Sequence, residues 1–184
     1  MPTAGRPARP REPLRLLVLA GLPGTGKSTL AGLLAARYHA VWLRVDTVEA
    51  ALLKAGLARS FETGLAAYIA VRDLAREQLR IGRTVIVDAV NGVEEARQMW
   101  RELATECGAR RVVLEVVCSD PEEHRRRVES RTPPTPPLPA PTWEEVVHRE
   151  YAPWTEPTLV LDGLRPPGEN LARVERSLRA NRSG

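Results

Sequence analysis

Lysine and aromatic side chains are scarce in this 184-residue chain, and both shortages bear on whether the protein binds nucleic acid. Lys27 and Lys54 are the only lysines, although lysine and arginine together number 27. Arginine therefore carries most of the positive charge behind the net +4, and it is not gathered into one block, which is weak evidence for nucleic-acid binding. Aromatic residues make up 4% of the chain, so no interleaved platform for stacking bases is evident.

Cysteine and long apolar runs are also sparse. Cys107 and Cys118 have no metal or redox spacing, which favours a reduced, cytoplasmic setting. The longest apolar run, residues 16–22, is far too short to span a bilayer. Residues 1–13 are rich in proline and arginine and lack the apolar stretch of a signal peptide. We therefore expect a cytoplasmic protein without a membrane partner, with a disordered tail over 1–13 and one domain over 14–184.

Short apolar runs alternate five times with segments of helical periodicity. This pattern predicts an α/β fold with a five-stranded parallel sheet and helices on both faces, joined by right-handed crossovers. The expected strands are residues 14–20, 41–45, 84–87, 111–117 and 158–161. The expected helices are residues 26–38, 47–57, 63–81, 93–107, 121–131, 142–150 and 169–180.

A glycine-rich segment follows the first predicted strand and opens the first predicted helix. Residues 21–28 read GLPGTGKS and match G-x-x-x-x-G-K-[ST] at every fixed position. The glycines let backbone N–H groups turn toward phosphate oxygens, and the helix N-terminus adds partial positive charge. We expect Lys27 to reach the β- and γ-phosphates of ATP or GTP, and Ser28 to hold Mg²⁺. The expected nucleotide-binding residues are Gly21, Gly24, Thr25, Gly26, Lys27, Ser28 and Thr29.

Two aspartates follow predicted strands, Asp46 after the second and Asp88 after the third. Ligands of open α/β sheets bind beyond the carboxyl ends of the strands, so both carboxylates should face the glycine-rich segment. Asp88 follows the apolar run TVIV, as a Walker B acid does, and is expected to hold Mg²⁺ directly or through water. Asp46 is the better candidate for a general base toward an alcohol. For both aspartates, the alternative is an N-cap of the next helix.

A basic helix end precedes a proline-rich segment. Residues 124–131 read HRRRVESR and residues 132–141 read TPPTPPLPAP. Arg127 and Arg131 are four residues apart and share a helix face, from which they could offset charge on a transferring phosphoryl group. The segment of about 125–142 is expected to be a lid over the nucleotide. The alternative is a solvated basic face beside a stiff surface loop.

Three further side chains are candidates for contacting a substrate. Asn91 lies three residues after Asp88, and its alternative role is that of a turn residue before Gly92. Tyr68 and Arg72 share a face of the long helix after Asp46, where they could line an acceptor pocket. The three histidines have no metal spacing and are expected at the surface.

The combined motifs resemble the small P-loop kinases, a group that includes gluconate kinase, chloramphenicol phosphotransferase, zeta toxins and polynucleotide 5′-hydroxyl kinase. The resemblance rests on GLPGTGKST, Asp46, VIVDAVN and DPEEHRRRVESR, and covers about residues 14–162. It implies a P-loop NTPase domain with sheet order 2-3-1-4-5, Asp46 activating an acceptor hydroxyl, and Arg127 and Arg131 reaching the nucleotide. Many members carry an arginine soon after the aspartate, whereas residues 47–49 here read TVE, which argues against an acidic substrate bound through that arginine.

The function expected from these features is transfer of the γ-phosphoryl group of ATP or GTP, with Mg²⁺, to a hydroxyl of a small molecule. Antibiotics are a sizeable part of that acceptor class, which would make the protein a resistance phosphotransferase. A polynucleotide 5′-hydroxyl kinase and a non-catalytic nucleotide-binding switch are the alternatives, and nucleic acid is the less favoured partner. The protein is expected to be a monomer or a homodimer.

Overall fold

A computed structural model describes residues 14–131, 136–156 and 158–180 as a five-stranded sheet with helices on both faces. The tail expected over residues 1–13 lies outside the described residues. The strands are β1 Arg15–Ala20, β2 Val41–Arg44, β3 Val85–Asp88, β4 Arg110–Val117 and β5 Leu159–Asp162. The helices are α1 Lys27–Tyr38, α2 Val45–Lys54, α3 Phe61–Arg80, α4 Glu94–Glu106, α5 Pro121–Glu129, α6 Trp143–Val147 and α7 Pro167–Ala180.

The sheet has the order β2-β3-β1-β4-β5, and each neighbouring pair is parallel. The predicted fold and strand order are therefore confirmed. Every residue of the central strand β1 is buried, because helices cover both of its faces. The carboxyl ends of the five strands lie at one edge, where the segments after β1, β2, β3 and β5 meet.

Two apolar clusters lie on opposite faces of the sheet, and the alternation of side chains along β1 divides its residues between them. Leu16 and Val18 pack with α3 and α4 on one face. Leu17 and Leu19 pack with α1 and α7 on the other. The sheet is thus held rigidly beneath the loops at its carboxyl edge. In the part of the chain that the structure describes, no helix is both long and apolar enough to cross a bilayer.

Three element boundaries differ from the sequence prediction in ways that affect the site. Helix α2 begins directly after β2, so Asp46 lies in its first turn rather than in a loop. Asp88 is the last residue of β3 and not the residue after it. Helix α5 ends at Glu129, so Arg131 lies beyond the helix that was expected to carry it. Within the lid segment, residues 132–135 lie outside the description, and residues 136–141 are neither helix nor strand.

Candidate active site

The glycine-rich segment forms a tight loop between β1 and α1 at the carboxyl edge of the sheet. Gly21 has φ 139°, and a Cβ there would lie 2.2 Å from the Val116 carbonyl oxygen. Gly26 precedes the first residue of α1 with φ 96°. Both conformations favour glycine, and at Gly21 the close approach of β4 leaves no space for a side chain. The loop N–H groups and the N-terminus of α1 form a surface suited to anions.

Lys27, the first residue of α1, is 7% exposed. Its Nζ lies 3.5 Å from the Leu22 carbonyl oxygen, which also accepts a 2.9 Å hydrogen bond from the Thr25 hydroxyl. Burial lowers the pKa of Lys27, although the carboxylates of Asp88 and Asp46 act in the opposite direction. An incoming phosphate would raise that pKa again, because it adds negative charge beside a poorly solvated ammonium group.

Asp88 faces the same region from the end of β3 and is 3% exposed. Its Oδ2 lies 3.5 Å from Arg44 Nε at the end of β2, and it has no hydrogen-bond partner among the described residues. A buried carboxylate oxygen without a hydrogen bond fits a magnesium ion or one of its water ligands, since Mg²⁺ prefers oxygen donors. Asp88 therefore fits the magnesium ligand that the sequence predicted, although Arg44 also competes for its carboxylate.

Phosphate-loop residues and two predicted arginines line one cavity of about 190 Å³, which we call the phosphate cavity. Arg131 reaches it although it lies beyond α5. Arg127 is held by Glu123 through a 2.7 Å Nε–Oε1 contact. The structure thus brings together the loop and the two arginines that the sequence placed near the nucleotide. The cavity is lined by Gly24, Gly26, Lys27, Ser28, Thr29, Arg127 and Arg131.

A larger cavity of about 470 Å³, the nucleoside cavity, adjoins the phosphate cavity. The two share Gly24, Gly26, Thr29 and Arg127. Its other residues are Leu30, Val116, Gly163, Leu164, Arg165, Pro166, Pro167 and Asn170. One of its walls is the segment after β5, the loop on which the preference for ATP or GTP was expected to depend, although no residue of it was named from the sequence.

A third cavity of about 120 Å³, the acceptor cavity, lies on the side of β2 and β3. Lys27 and Arg131 line both this cavity and the phosphate cavity. Asp46 lines it from the first turn of α2 and lines neither the phosphate cavity nor the nucleoside cavity. The remaining residues are Pro23, Glu49, Arg59, Val90, Leu138, Pro139, Ala140, Pro141 and Arg149.

The three predicted substrate contacts have different outcomes. Tyr68 lies close enough to this region for Asp46 and Glu49 to act on it, and burial raises its pKa to about 12. Its hydroxyl accepts a 3.3 Å hydrogen bond from the Asn91 N–H. Arg72 instead forms an ion pair at 3.4 Å with Glu106, the last residue of α4, and does not line the acceptor cavity. The expectation that Arg72 contacts a substrate is therefore not supported. Its ion-pair partner Glu106 lies at the end of α4, away from the carboxyl edge of the sheet.

Asn91 also departs from its expected role, since it is 0% exposed. Its Nδ2 donates to the Leu19 carbonyl oxygen at 2.7 Å, and its Oδ1 accepts from Trp100 Nε1 at 2.8 Å. Both ends of the amide are therefore used inside the protein and are not available to a substrate. The alternative turn role agrees with its φ of 52°, a left-handed conformation that asparagine tolerates well.

We expect Asn91→Ala to lower the free energy of unfolding by roughly 2–4 kcal/mol, because Trp100 and Leu19 would each lose a buried partner. Urea unfolding followed by fluorescence measures this loss. Gln98→Ala, which removes an exposed amide on α4, serves as the control and should change stability by less than about 0.5 kcal/mol. Unchanged stability in Asn91→Ala would show that these hydrogen bonds contribute little.

Several residues of the site were missed by sequence reasoning. Arg44, Arg59 and Arg149 come from three separate segments, and no local motif marks them. Glu49 could have been predicted as a site residue from the sequence, because it lies three residues after Asp46 and so shares its helix face. His124 was expected at the surface but is buried, with Nε2 2.7 Å from the Pro23 carbonyl oxygen. That contact ties α5 to the phosphate loop.

Comparison with known proteins places these features in a family. The AAA domain family matches residues 16–150. No curated protein sequence matches the chain. Solved structures agree in fold. An unliganded sugar kinase from Janibacter sp. HTCC2649 is 19% identical with a TM-score of 0.69, over 91% of this chain and 95% of that one.

Two other solved structures show the same architecture. The APS kinase of Mycobacterium tuberculosis, in complex with AMPPNP and APS, is 20% identical with a TM-score of 0.69, over 91% of this chain and 99% of that one. A gluconokinase from Sinorhizobium meliloti 1021 is 17% identical with a TM-score of 0.65, over 94% and 99%. At these identities the likeness establishes the fold. The chain belongs to the AAA domain family and has the fold of the small P-loop kinases.

Proposed function

We propose that the protein is a kinase that transfers the γ-phosphoryl group of ATP or GTP to a hydroxyl of a small molecule. The observation that carries this proposal is the shared wall between the phosphate cavity and the acceptor cavity. Lys27 and Arg131 line both. A protein that only holds or hydrolyses a nucleotide needs no second cavity on the far side of its phosphate-binding lysine, whereas a transferase must bring two ligands together there.

The nucleotide, which donates the phosphoryl group, occupies two adjoining cavities. The nucleoside cavity takes the base and ribose, and the phosphate cavity takes the triphosphate. Arg127 lies between them and donates to the Gly163 carbonyl oxygen at 2.9 Å through Nη1. Lys27, the loop N–H groups and Arg131 offset the charge of the phosphate oxygens. Mg²⁺, held through Ser28 and Asp88, would add further neutralisation of the β- and γ-phosphates.

The acceptor side provides the group that would receive a proton. Asp46 lies in the acceptor cavity and acts electrostatically on Lys27, which marks it as close to the point of transfer. An acceptor hydroxyl that donates its hydrogen bond to Asp46 directs an oxygen lone pair toward the γ-phosphoryl group. Asp46 then accepts the proton as the new P–O bond forms and the bond to the β-phosphate breaks.

The acceptor class proposed here is a small hydroxyl compound, and antibiotics with a free hydroxyl belong to it. The sugar kinase and the gluconokinase act on small polyhydroxyl compounds by their names, which agrees with this class. The small size of the cavity, about 120 Å³ and lined in part by Leu138, Pro139 and Pro141, also favours a small ligand over a polymer. A monomer or homodimer bound to nucleotide is the assembly we propose.

A phosphate-transfer screen tests the proposed function. The full chain is incubated with Mg²⁺ and γ-labelled ATP or GTP, against nucleosides, sugars, sugar acids, hydroxyl antibiotics and 5′-hydroxyl oligonucleotides. We expect label on a small molecule. Label on the oligonucleotide alone would favour a polynucleotide kinase. Tight nucleotide binding without transfer to any acceptor would argue against the kinase proposal and favour a switch.

A further inference from the structure

Besides Arg131, two arginines from separate parts of the chain line the acceptor cavity. Arg59 lies between α2 and α3, and Arg149 follows α6 beyond the lid segment. Within the described ranges, neither guanidinium group forms an ion pair or a side-chain hydrogen bond. Two exposed guanidinium groups therefore line one cavity without a direct contact to a carboxylate, although Glu49 lies close enough for both to act on it electrostatically.

The arginines of the neighbouring helix α5 differ in this respect. Arg125 pairs with Glu129 at 2.8 Å, and Arg126 pairs with Glu123 at 2.7 Å. Arg127 shares Glu123 with it. The chain thus supplies partners for arginines that face solvent beside the site. Arg59 and Arg149 differ from these three α5 arginines in having no such pair.

The charges of the acceptor cavity fall into two groups, with Asp46 between them. The charged residues that act most strongly on Lys27 are Asp88, Asp46, Arg131 and Arg44. Those that act on Glu49 are Asp46, Arg59 and Arg149. Lys27 and Arg131 therefore mark the end nearest the phosphates, whereas Arg59 and Arg149 mark the far end.

The carboxylates near the far end do not neutralise both arginines. Burial raises the pKa of Glu49 and Asp46 raises it further, whereas Arg59 and Arg149 lower it, so Glu49 is one carboxylate within electrostatic reach of two arginines. Glu145 is held by the Thr142 N–H at 2.8 Å and does not line the cavity. The cavity as a whole is lined by four basic side chains, Lys27, Arg59, Arg131 and Arg149, against the two carboxylates Asp46 and Glu49, so positive charge is in excess there.

We propose that the phosphate acceptor carries an anionic group, a carboxylate or a phosphate, which Arg59 and Arg149 bind while its hydroxyl faces Asp46. This inference rests on the proposed kinase function and narrows its substrate class. Arginine suits the role because its planar fork of donors matches the oxygens of either anion. Residues 47–49 hold no arginine, so here recognition of an acidic substrate comes from two other segments of the chain.

Calorimetry on the full chain tests this inference apart from catalysis. The protein is first saturated with AMPPNP and Mg²⁺, so that added anions cannot occupy the phosphate cavity. Matched pairs are then titrated: glycerol against glycerate and glycerol 3-phosphate, and glucitol against gluconate and glucitol 6-phosphate. We expect at least one anionic compound to bind about tenfold or more tightly than its neutral partner, as a charge-assisted hydrogen bond provides. The preferred anion distinguishes carboxylate from phosphate.

The variants Arg59→Gln, Arg149→Gln and the double variant identify the residues responsible. We expect the double variant to lose the preference for the anionic compound while its AMPPNP affinity is unchanged. Arg176→Gln on α7, an exposed arginine outside the cavity, is the matched control and should retain the preference. In the transfer assay, the loss should appear mainly as a higher KM for the anionic acceptor.

The outcomes separate this inference from the proposed function. Equal binding of the neutral and anionic members, or a preference that survives in the double variant, would overturn the anionic-acceptor proposal even if transfer occurs. Binding of an anionic compound that depends on Arg59 and Arg149 would support it even if no transfer is seen. Absence of transfer to every acceptor would count against the kinase function alone.

Discussion

Lys27→Ala should lower phosphoryl transfer by roughly 10²–10³-fold or more, because it removes a preorganised cation from the wall between the two cavities. The same change should weaken nucleotide binding, since the ammonium group lies within the phosphate loop and faces the phosphate cavity. Initial rates with γ-labelled nucleotide, together with nucleotide titration, measure both effects.

The second lysine of the chain offers a matched control for that change. Lys54 is exposed at the end of α2, so Lys54→Ala removes the same group away from the three cavities. We expect wild-type transfer and nucleotide affinity in Lys54→Ala. Full activity in Lys27→Ala would show that the phosphate loop does not hold the transferring group.

Asp46→Asn should lower kcat by roughly 10²–10⁴-fold and leave nucleotide affinity unchanged, because the amide cannot accept the hydroxyl proton as a base. The amide keeps the size of the side chain and can still hydrogen-bond the acceptor, so KM should change much less than kcat. Steady-state kinetics with the best acceptor from the screen separates the two parameters.

Asp73→Asn provides the corresponding control for Asp46. Asp73 is an exposed carboxylate on α3 that pairs with Arg76, so its loss should leave kcat unchanged. A rate unaffected by Asp46→Asn would remove Asp46 from the mechanism. A large loss of nucleotide affinity instead would indicate that Asp46 acts through the phosphate cavity.

The parts of the fold that the sequence predicted are those fixed by local patterns. The strands are short apolar runs and residues 21–28 carry a complete motif, so each strand end was predicted to within one residue and each helix end to within three. The errors at Asp46 and Arg131 arose at helix ends. Helix α2 starts without a loop and α5 stops two residues early, and neither end has a strong sequence signal.

The acceptor side was predicted less completely because it is assembled from distant segments. Asp46 was found from its position after a strand, but Arg59 and Arg149 meet it only through the tertiary fold. Asn91 was misassigned because its partners, Leu19 and Trp100, are far away along the chain. Helical spacing correctly puts Arg72 on the same helix face as Tyr68, but it does not show that the two residues lie at different distances from the carboxyl edge of the sheet.

The close contact of Gly163 with the phosphate loop limits how the nucleotide specificity of the protein can change in evolution. A Cβ at Gly163 would lie 1.8 Å from the Thr25 carbonyl oxygen, so the segment after β5 and the loop are locked together. A substitution in either of these two segments must therefore preserve the fit between them. The residues that line the acceptor cavity, among them residues 138–141, Arg59 and Arg149, include no glycine held in this way. Natural or directed evolution could exchange one acceptor for another there and leave the donor half intact.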